Sequence, residues 1–340
     1  MNAGRCAGQA IAQTSSKEAI ECPSFMRHRT FGRTGLRVST VSMGTNRLGD
    51  PGIGPEVWPP LVQRALELGV NFFDTSISYN QGRSEAVLGQ VTCRWSSPTF
   101  ISTKVGFDID WEAAADFQKR DYSAAAIRRD IRGQLARLRR DSIDIYMLHS
   151  PTVSDLQHGD WQDAIDELKR AGLVRWFGIS TSSHASGTWA IEHGADVLQI
   201  EYDMLSPSAE EALLPLARQE NVGIMVRTPL ARGLLTGKFK AGKPIAPEEQ
   251  WRRPTGKLLQ TRLKRIEQLR FLERPGQTLA QAALRFVLAH PSVHCVVPGA
   301  RTFSQLEENI AAADGELLPE ELARVRELHQ EWQRADAVYV

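Results

Sequence analysis

Four side chains have types and positions that could handle one proton together: Asp74, Tyr79, Lys104 and His149. Asp74 ends the short apolar run Val70 to Phe73, and Tyr79 follows one short loop later. Lys104 and His149 each end another strand-like run. A phenol ordinarily titrates near ~10, too high for acid–base work at neutral pH. A neighbouring ammonium favours the phenolate. Lys104 could supply that charge, Asp74 could hold Lys104 by an ion pair, and His149 could orient a substrate oxygen. General acid catalysis of this kind is worth ~10²–10⁴-fold. Each residue also has a plainer reading: Asp74 as a turn cap, Lys104 as a solvated strand end, His149 as a satisfied core histidine, Tyr79 as packing. A single pocket accounts for all four, where the plainer readings need four coincidences.

The elements that must position them alternate. Strand-like segments start at Val41 to Gly44. They continue at Asn71 to Asp74, Thr99 to Lys104, Ile143 to His149, Arg175 to Ser180, Val197 to Glu201, Gly223 to Arg227 and His294 to Pro298. Helix-like segments lie between them: Pro60 to Leu68, Glu85 to Val91, Ser123 to Leu138, Trp161 to Ala171, Ala185 to Glu192, Ala209 to Glu220 and Leu279 to Leu288. Strict βα alternation argues a parallel sheet, and eight units without a break argue a closed (β/α)8 barrel. Asp74, Lys104 and His149 then share the carboxyl ends of barrel strands, which ring one pocket.

Outside the repeat, Thr30 to Met43 carries a turn at Arg33 to Gly35 and predicts a small N-terminal hairpin. An extra helix is expected at Pro319 to Ala335. Long insertions follow the third strand (Gly106 to Arg120) and the seventh (Ala231 to Thr255). Trp111, Trp251 and Tyr339 are candidates to line a substrate pocket from such segments. Residues 1–25 read as a disordered extension, with residues 26–340 as one barrel domain.

Composition narrows the function. The chain has 340 residues, 42% hydrophobic and 24% charged, with net charge +1. That balance gives no pointer to nucleic acid or a membrane surface. No apolar run approaches the ~18 residues of a membrane span. Cys6, Cys22, Cys93 and Cys295 form no C-x-x-C pair, so they read as reduced thiols of a cytoplasmic protein, with no metal site expected.

The same residues, in this order and spacing, resemble the aldo-keto reductase family from about Thr30 to about Ala313. Five segments carry the resemblance: G-R-T-G-L-R-V-S, F-F-D-T-S-I-S-Y, the strand ending at Lys104, D-I-Y-M-L-H-S-P, and V-P-G-A-R-T-F-S-Q-L-E-E-N. The resemblance implies a (β/α)8 barrel that reduces a small-molecule carbonyl with NADPH. It implies Tyr79 as general acid, with Asp74, Lys104 and His149 as its partners. It further places Gly44 and Thr45 near the nicotinamide ribose, and Ser180 and Gln199 on the nicotinamide carboxamide. The family's usual Asn after that serine is Thr181 here.

By the same likeness the seventh strand ends where a tyrosine often stacks on the nicotinamide. Arg227 stands there, and a planar guanidinium can also stack, though a plain surface arginine is the alternative. Thr228, Leu230, Arg232 and Lys238 would meet the pyrophosphate. The last segment would take the adenosine end: Pro298 would close the strand, Gly299 and Ala300 would let the backbone come close to phosphate, and Arg301 would take the 2′-phosphate. Gln305, Glu308 and Asn309, on one face of the next helix, match adenine contacts. Some reductases carry Lys, Ser and a second Arg where Gly299, Ala300 and Gln305 stand, so NADH is possible beside NADPH.

Two other readings use the same residues. A Schiff-base aldolase would use Lys104 as nucleophile but leaves Tyr79 and the P-G-A-R segment without a role. An NADPH-binding sensor, as some relatives acting as potassium-channel subunits are thought to be, would bind without significant turnover.

Overall fold

The computed structural model describes residues 26–109, 119–240, 243 and 254–337. The proposed extension at residues 1–25 and the pocket candidates Trp111, Trp251 and Tyr339 lie outside the described residues.

The chain opens with an antiparallel hairpin, β1 (His28–Thr30) and β2 (Arg37–Ser39). The barrel strands follow in parallel, separated by helices. They are β3 (Met43–Gly44), α1 (Trp58–Glu67), β4 (Phe72–Asp74), α2 (Arg83–Thr92) and β5 (Phe100–Val105). A two-stranded excursion, β6 (Phe107–Asp108) with β7 (Lys119–Arg120), precedes α3 (Ala124–Leu138). Next come β8 (Ile143–His149), α4 (Val153–His158), α5 (Trp161–Arg170), β9 (Val174–Thr181), α6 (His184–Glu192) and β10 (Val197–Glu201). The last units are α7 (Leu213–Gln219), β11 (Gly223–Arg227), α8 (Gly256–Gln268), α9 (Leu279–Ala289), β12 (Cys295–Val296), α10 (Phe303–Ala311) and α11 (Pro319–Ala337).

The eight barrel strands run in the order β12-β11-β10-β9-β8-β5-β4-β3. Parallel bridges from Val41 to Val296 and from Gly44 to Gly299 join the two ends of that sheet. Closure is tight at Gly44, where an added Cβ would meet the Val297 carbonyl oxygen at 2.4 Å.

Two apolar cores result. The larger packs the helices on the outside of the strands. The smaller holds Phe72, Ile145, Met147, Val197, Met225, Cys295 and Val297 together with Phe31, Leu36 and Val38 of the hairpin region. The hairpin thus plugs the amino-terminal end of the barrel. Its turn lies so close to β11 that a Cβ on Gly32 (φ +51) would meet Gly223 N at 2.4 Å.

Several boundaries differ from the sequence reading. The helix expected at Ala209 to Glu220 is a 3-10 turn, Ser208–Glu210, and then the shorter α7. The last strand is reduced to β12, and Pro298 lies beyond it. Two helices were not expected. Helix α4 starts at a capping box in which Thr152 and Asp155 satisfy each other's backbone N–H. In α8, Leu259, Leu263 and Ile266 repeat at helical spacing, and the last two are buried.

Candidate active site

Side chains alternate across a strand, so every second residue points into the barrel. Phe72 lies in the inner core and Asp74 comes two residues later; Ile145 and Met147 lead to His149, Val197 to Gln199 and Glu201, and Met225 to Arg227. The inward columns are apolar at the plugged end and polar at the strands' carboxyl ends. That gradient builds the site.

Lys104 is its hub. The side chain is fully buried, and its Nζ donates to both carboxylate oxygens of Asp74, each at 2.8 Å. It also donates to the Thr75 carbonyl at 2.8 Å and to the Tyr79 hydroxyl at 3.2 Å. The ammonium lies 4.8 Å from the Tyr79 ring centroid. Ser102, two residues before Lys104 on the same strand face, donates to Asp74 Oδ1 at 2.8 Å. Asp74 is therefore held from two sides, and a buried ion pair of this kind tolerates loss of neither partner.

His149 sits opposite. Its ring meets Tyr79 edge-on at 6.0 Å and Phe107 at 4.9 Å between centroids. Its Nδ1 lies 3.2 Å from Ser76 Oγ, and its backbone carbonyl accepts from the Tyr122 hydroxyl at 2.7 Å. Burial pushes the Tyr122 phenol well above its ordinary range, so it stays a donor to that carbonyl. All four residues singled out in the sequence thus meet at one end of the barrel.

The remaining candidates fall into three groups. Ser180 and Gln199 are register neighbours on β9 and β10, both fully buried, with Ser180 Oγ donating to Gln199 Oε1 at 2.6 Å. Gln199 Nε2 has the weak acceptor Met225 Sδ at 3.1 Å. Thr45 is committed to structure: its hydroxyl donates to the Asp74 carbonyl at 2.8 Å and accepts from Ser84 Oγ at 2.7 Å.

On the β11 side, Arg227 and Arg232 converge on Glu201 Oε1 at 3.2 and 3.1 Å. Arg227 Nε is buried and has no hydrogen-bond partner among the described residues. Thr228 and Arg232 both have positive φ, +54 and +57, within the turn that carries Leu230. Lys238 is exposed, with its Nζ 4.7 Å from the Phe239 ring centroid.

At the third position, Pro298 and Ala300 are buried while Gly299 and Arg301 are exposed. Thr302 caps α10 by accepting from the Gln305 N–H, and Gln305 Oε1 accepts from the Arg301 backbone N–H at 2.9 Å. Asn309 Nδ2 donates to the Gly299 carbonyl at 3.3 Å, so Asn309 braces this loop. Glu308 is half-buried on the same helix.

A profile of the Aldo/keto reductase family matches residues 40–330. The chain belongs to this family. As an aldo/keto reductase it is an NAD(P)H-dependent oxidoreductase acting on small carbonyl substrates. It is 29% identical to the oxidoreductase YqkF of Bacillus subtilis over 89% of this chain and 96% of that one. It is 28% identical to a probable voltage-gated potassium channel subunit beta of Oryza sativa, over 85% of this chain and 92% of that one. The aldo-keto reductase AKR11C1 from Bacillus halodurans, in its holo form, superposes with a TM-score of 0.75 at 28% identity, covering 89% of this chain and 96% of that one.

Several residues of this aldo/keto reductase's site were not anticipated. Ser102 was legible, since it shares a strand face with Lys104. Ser76 and Ser78 were visible as neighbours of Tyr79, but only folding brings them to His149. Gln134 on α3 donates to the Lys104 carbonyl at 3.1 Å and accepts from the Tyr146 hydroxyl at 2.7 Å. Its Nε2 also reaches Glu85 Oε1 at 2.9 Å, and Arg137 Nε reaches Glu85 Oε2 at 2.8 Å. No local pattern pointed to this buried strut behind Lys104. A surface cavity of about 550 Å³, lined by Pro215, Arg218, Gln219, His290, Pro291 and Ser292, lies by the amino-terminal ends of the strands and shares no residue with the site.

Proposed function

We propose that this aldo/keto reductase reduces an aldehyde or ketone to its alcohol, with NADPH as hydride source and Tyr79 as proton donor. The observation that carries this reading is the Lys104 ammonium held between Asp74 and the Tyr79 hydroxyl at the strands' carboxyl ends. In the proposed step the Tyr79 hydroxyl proton passes to the carbonyl oxygen. Lys104 faces the phenolate that remains, and Asp74 keeps Lys104 in place. His149 orients the substrate oxygen by a hydrogen bond.

The residues present suit a nicotinamide dinucleotide. The unpartnered Arg227 Nε is a donor without an acceptor, and Arg227 and Arg232 bring two cations to one wall. The loop Pro298 to Arg301 leads into the amino-terminus of α10, an arrangement that favours anions. Thr228, Leu230 and Lys238 accompany the arginines on the pyrophosphate side. Ser180 and Gln199 are proposed for the carboxamide, Gly44 and Thr45 for the ribose side, and Arg301 for the 2′-phosphate, with Gln305, Glu308 and Asn309 toward the adenine. When bound, the cofactor supplies the hydride.

The test is NADPH binding followed by fluorescence, then NADPH oxidation with a reactive aromatic aldehyde. Binding with turnover supports the reading, and a folded protein that binds no dinucleotide refutes it. Binding without turnover would favour the second reading, an NADPH-binding sensor or regulatory subunit, and the similarity to probable voltage-gated potassium channel beta subunits supports the regulatory part of it. The aldolase reading is the weaker one. Lys104 Nζ already meets Asp74, Thr75 and Tyr79, and its side chain has no exposed surface for a carbonyl carbon to approach.

A further inference from the structure

We propose that Asn80 is a positioning residue that clamps the loop carrying Tyr79 onto the loop leaving β3. The inference rests on the carbonyl-reduction reading above and adds a residue outside the Asp74, Tyr79, Lys104, His149 set. The clamp gives the proton donor and the ribose-side residues Gly44 and Thr45 one common frame.

The chain turns sharply after Tyr79. Asn80, Gln81 and Gly82 all have left-handed backbone, with φ of +49, +52 and +72. Such values are costly for residues that carry a Cβ, asparagine being among the more tolerant, and they persist where the surroundings hold them. Asn80 supplies such a hold. Its Nδ2 donates to the Leu48 carbonyl at 2.9 Å and reaches the Asn46 carbonyl at 3.4 Å. Carbonyl oxygens only accept, so the side chain must present its NH2 group to them. Aspartate shares the backbone tolerance but has no such donors, and glycine keeps the backbone freedom without any side chain.

Independent contacts join the same two loops. A Cβ on Gly49, next to Leu48, would meet Arg83 Cβ at 2.7 Å. Ser84 Oγ reaches the Thr45 carbonyl at 3.0 Å, so the segment from Tyr79 to Ser84 is tied to the β3 loop near both of its ends. On the other side, the Tyr79 backbone N–H donates to the Ser76 carbonyl at 3.0 Å. Lys104 and His149 meet the Tyr79 hydroxyl and ring, whereas Asn80 fixes the backbone that follows Tyr79 and does so from the cofactor side. The tie matters because two groups must reach one carbonyl: the hydride from the nicotinamide and the proton from Tyr79. A misplacement of about 1 Å between them can cost about 10²-fold in rate.

The test uses the full-length chain with NADPH and a reactive aromatic aldehyde. Asn80→Asp removes the donors and Asn80→Gly removes the side chain, and both keep the left-handed backbone available. Rates are referred to the fraction that binds NADPH, so that misfolded protein does not count. In both variants kcat should fall about 10–100-fold while KM and the NADPH Kd stay within about three-fold. The solvent deuterium isotope effect on kcat should rise, because proton delivery becomes slower. Amide hydrogen exchange should quicken at residues 46–50, which the substitution does not touch and where the Leu48 and Asp50 N–H groups are bonded within the loop. A wild-type kcat in the variants overturns the proposal. So does a lower kcat with an unchanged isotope effect, or with unchanged exchange at residues 46–50. Failure of both variants to fold would make Asn80 structural and overturn it as well. A wild type that reduces no aldehyde would count against the reductase reading, while exchange at residues 46–50 would still decide the clamp.

Discussion

Lys104 directs its N–H donors at Asp74, Thr75 and Tyr79, so removing the phenol oxygen leaves the ion pair standing. Tyr79→Phe should therefore lower kcat by about 10²–10⁴-fold while NADPH affinity stays nearly unchanged. Steady-state rates beside a fluorescence titration check this, and equal loss of both would make Tyr79 structural. Arg301 is exposed and has no ion-pair partner among the described residues, which suits it to an incoming phosphate. Arg301→Ala should weaken NADPH binding by roughly 10–100-fold, the size of a charge-assisted contact, and leave NADH nearly untouched. Titration of both dinucleotides decides it, and an unchanged ratio would send the 2′-phosphate elsewhere.

Among the elements, the strand-end residues were the most legible part. A strand-like run that closes on an Asp, Lys or His marks an inward column that reaches the pocket. The two-residue period carried Asp74, Lys104 and His149 to one end with no information beyond sequence. What the pattern lacked were partners from other elements, such as Gln134 of α3 behind Lys104. Such contacts join residues far apart in the chain, and their side chains give no periodic signal. Barrel closure is also decided between elements. The first strand crosses the last at Gly44, whose N–H donates to the Pro298 carbonyl at 3.0 Å. Gly44→Ala would drive a Cβ into the Val297 carbonyl and should destabilise the fold by about 1–3 kcal/mol. A urea midpoint equal to that of wild type would show that the seam can open.

Across the whole molecule, the barrel separates its two ends. The hairpin end carries stability, and it has its own titrating group. Burial, reinforced by the nearby Arg29 charge, lowers the pKa of His294 to about 4, and its Nδ1 accepts the Ile224 N–H at 3.0 Å. The unfolded chain takes up that proton near the ordinary ~6.5, whereas the folded chain resists until about 4. The stabilisation is therefore complete above ~6.5 and is lost as the pH falls toward about 4. His294→Asn keeps an acceptor and removes the titration. Between pH 7 and 5, wild type should lose roughly 2 kcal/mol more than the variant in denaturant melts. Parallel losses would place the acid sensitivity elsewhere. The far end of the molecule is braced by α11, where His329 Nε2 meets the Met204 carbonyl at 2.8 Å and Trp332 Nε1 donates to Gln268 at 2.7 Å.

The sequence by itself determined the eight-fold βα alternation, the strand-end position of the four candidate site residues, and the family. Each of these is a periodic or short-range pattern, which spacing along the chain records directly. Tertiary structure alone decided that Arg227 and Arg232 share Glu201, that Thr45 serves the Asp74 backbone, and that Ser76 and Ser78 address one nitrogen of His149. Those are hydrogen-bond choices among several polar neighbours. They depend on distances of a few tenths of an ångström between segments that meet only when the barrel closes.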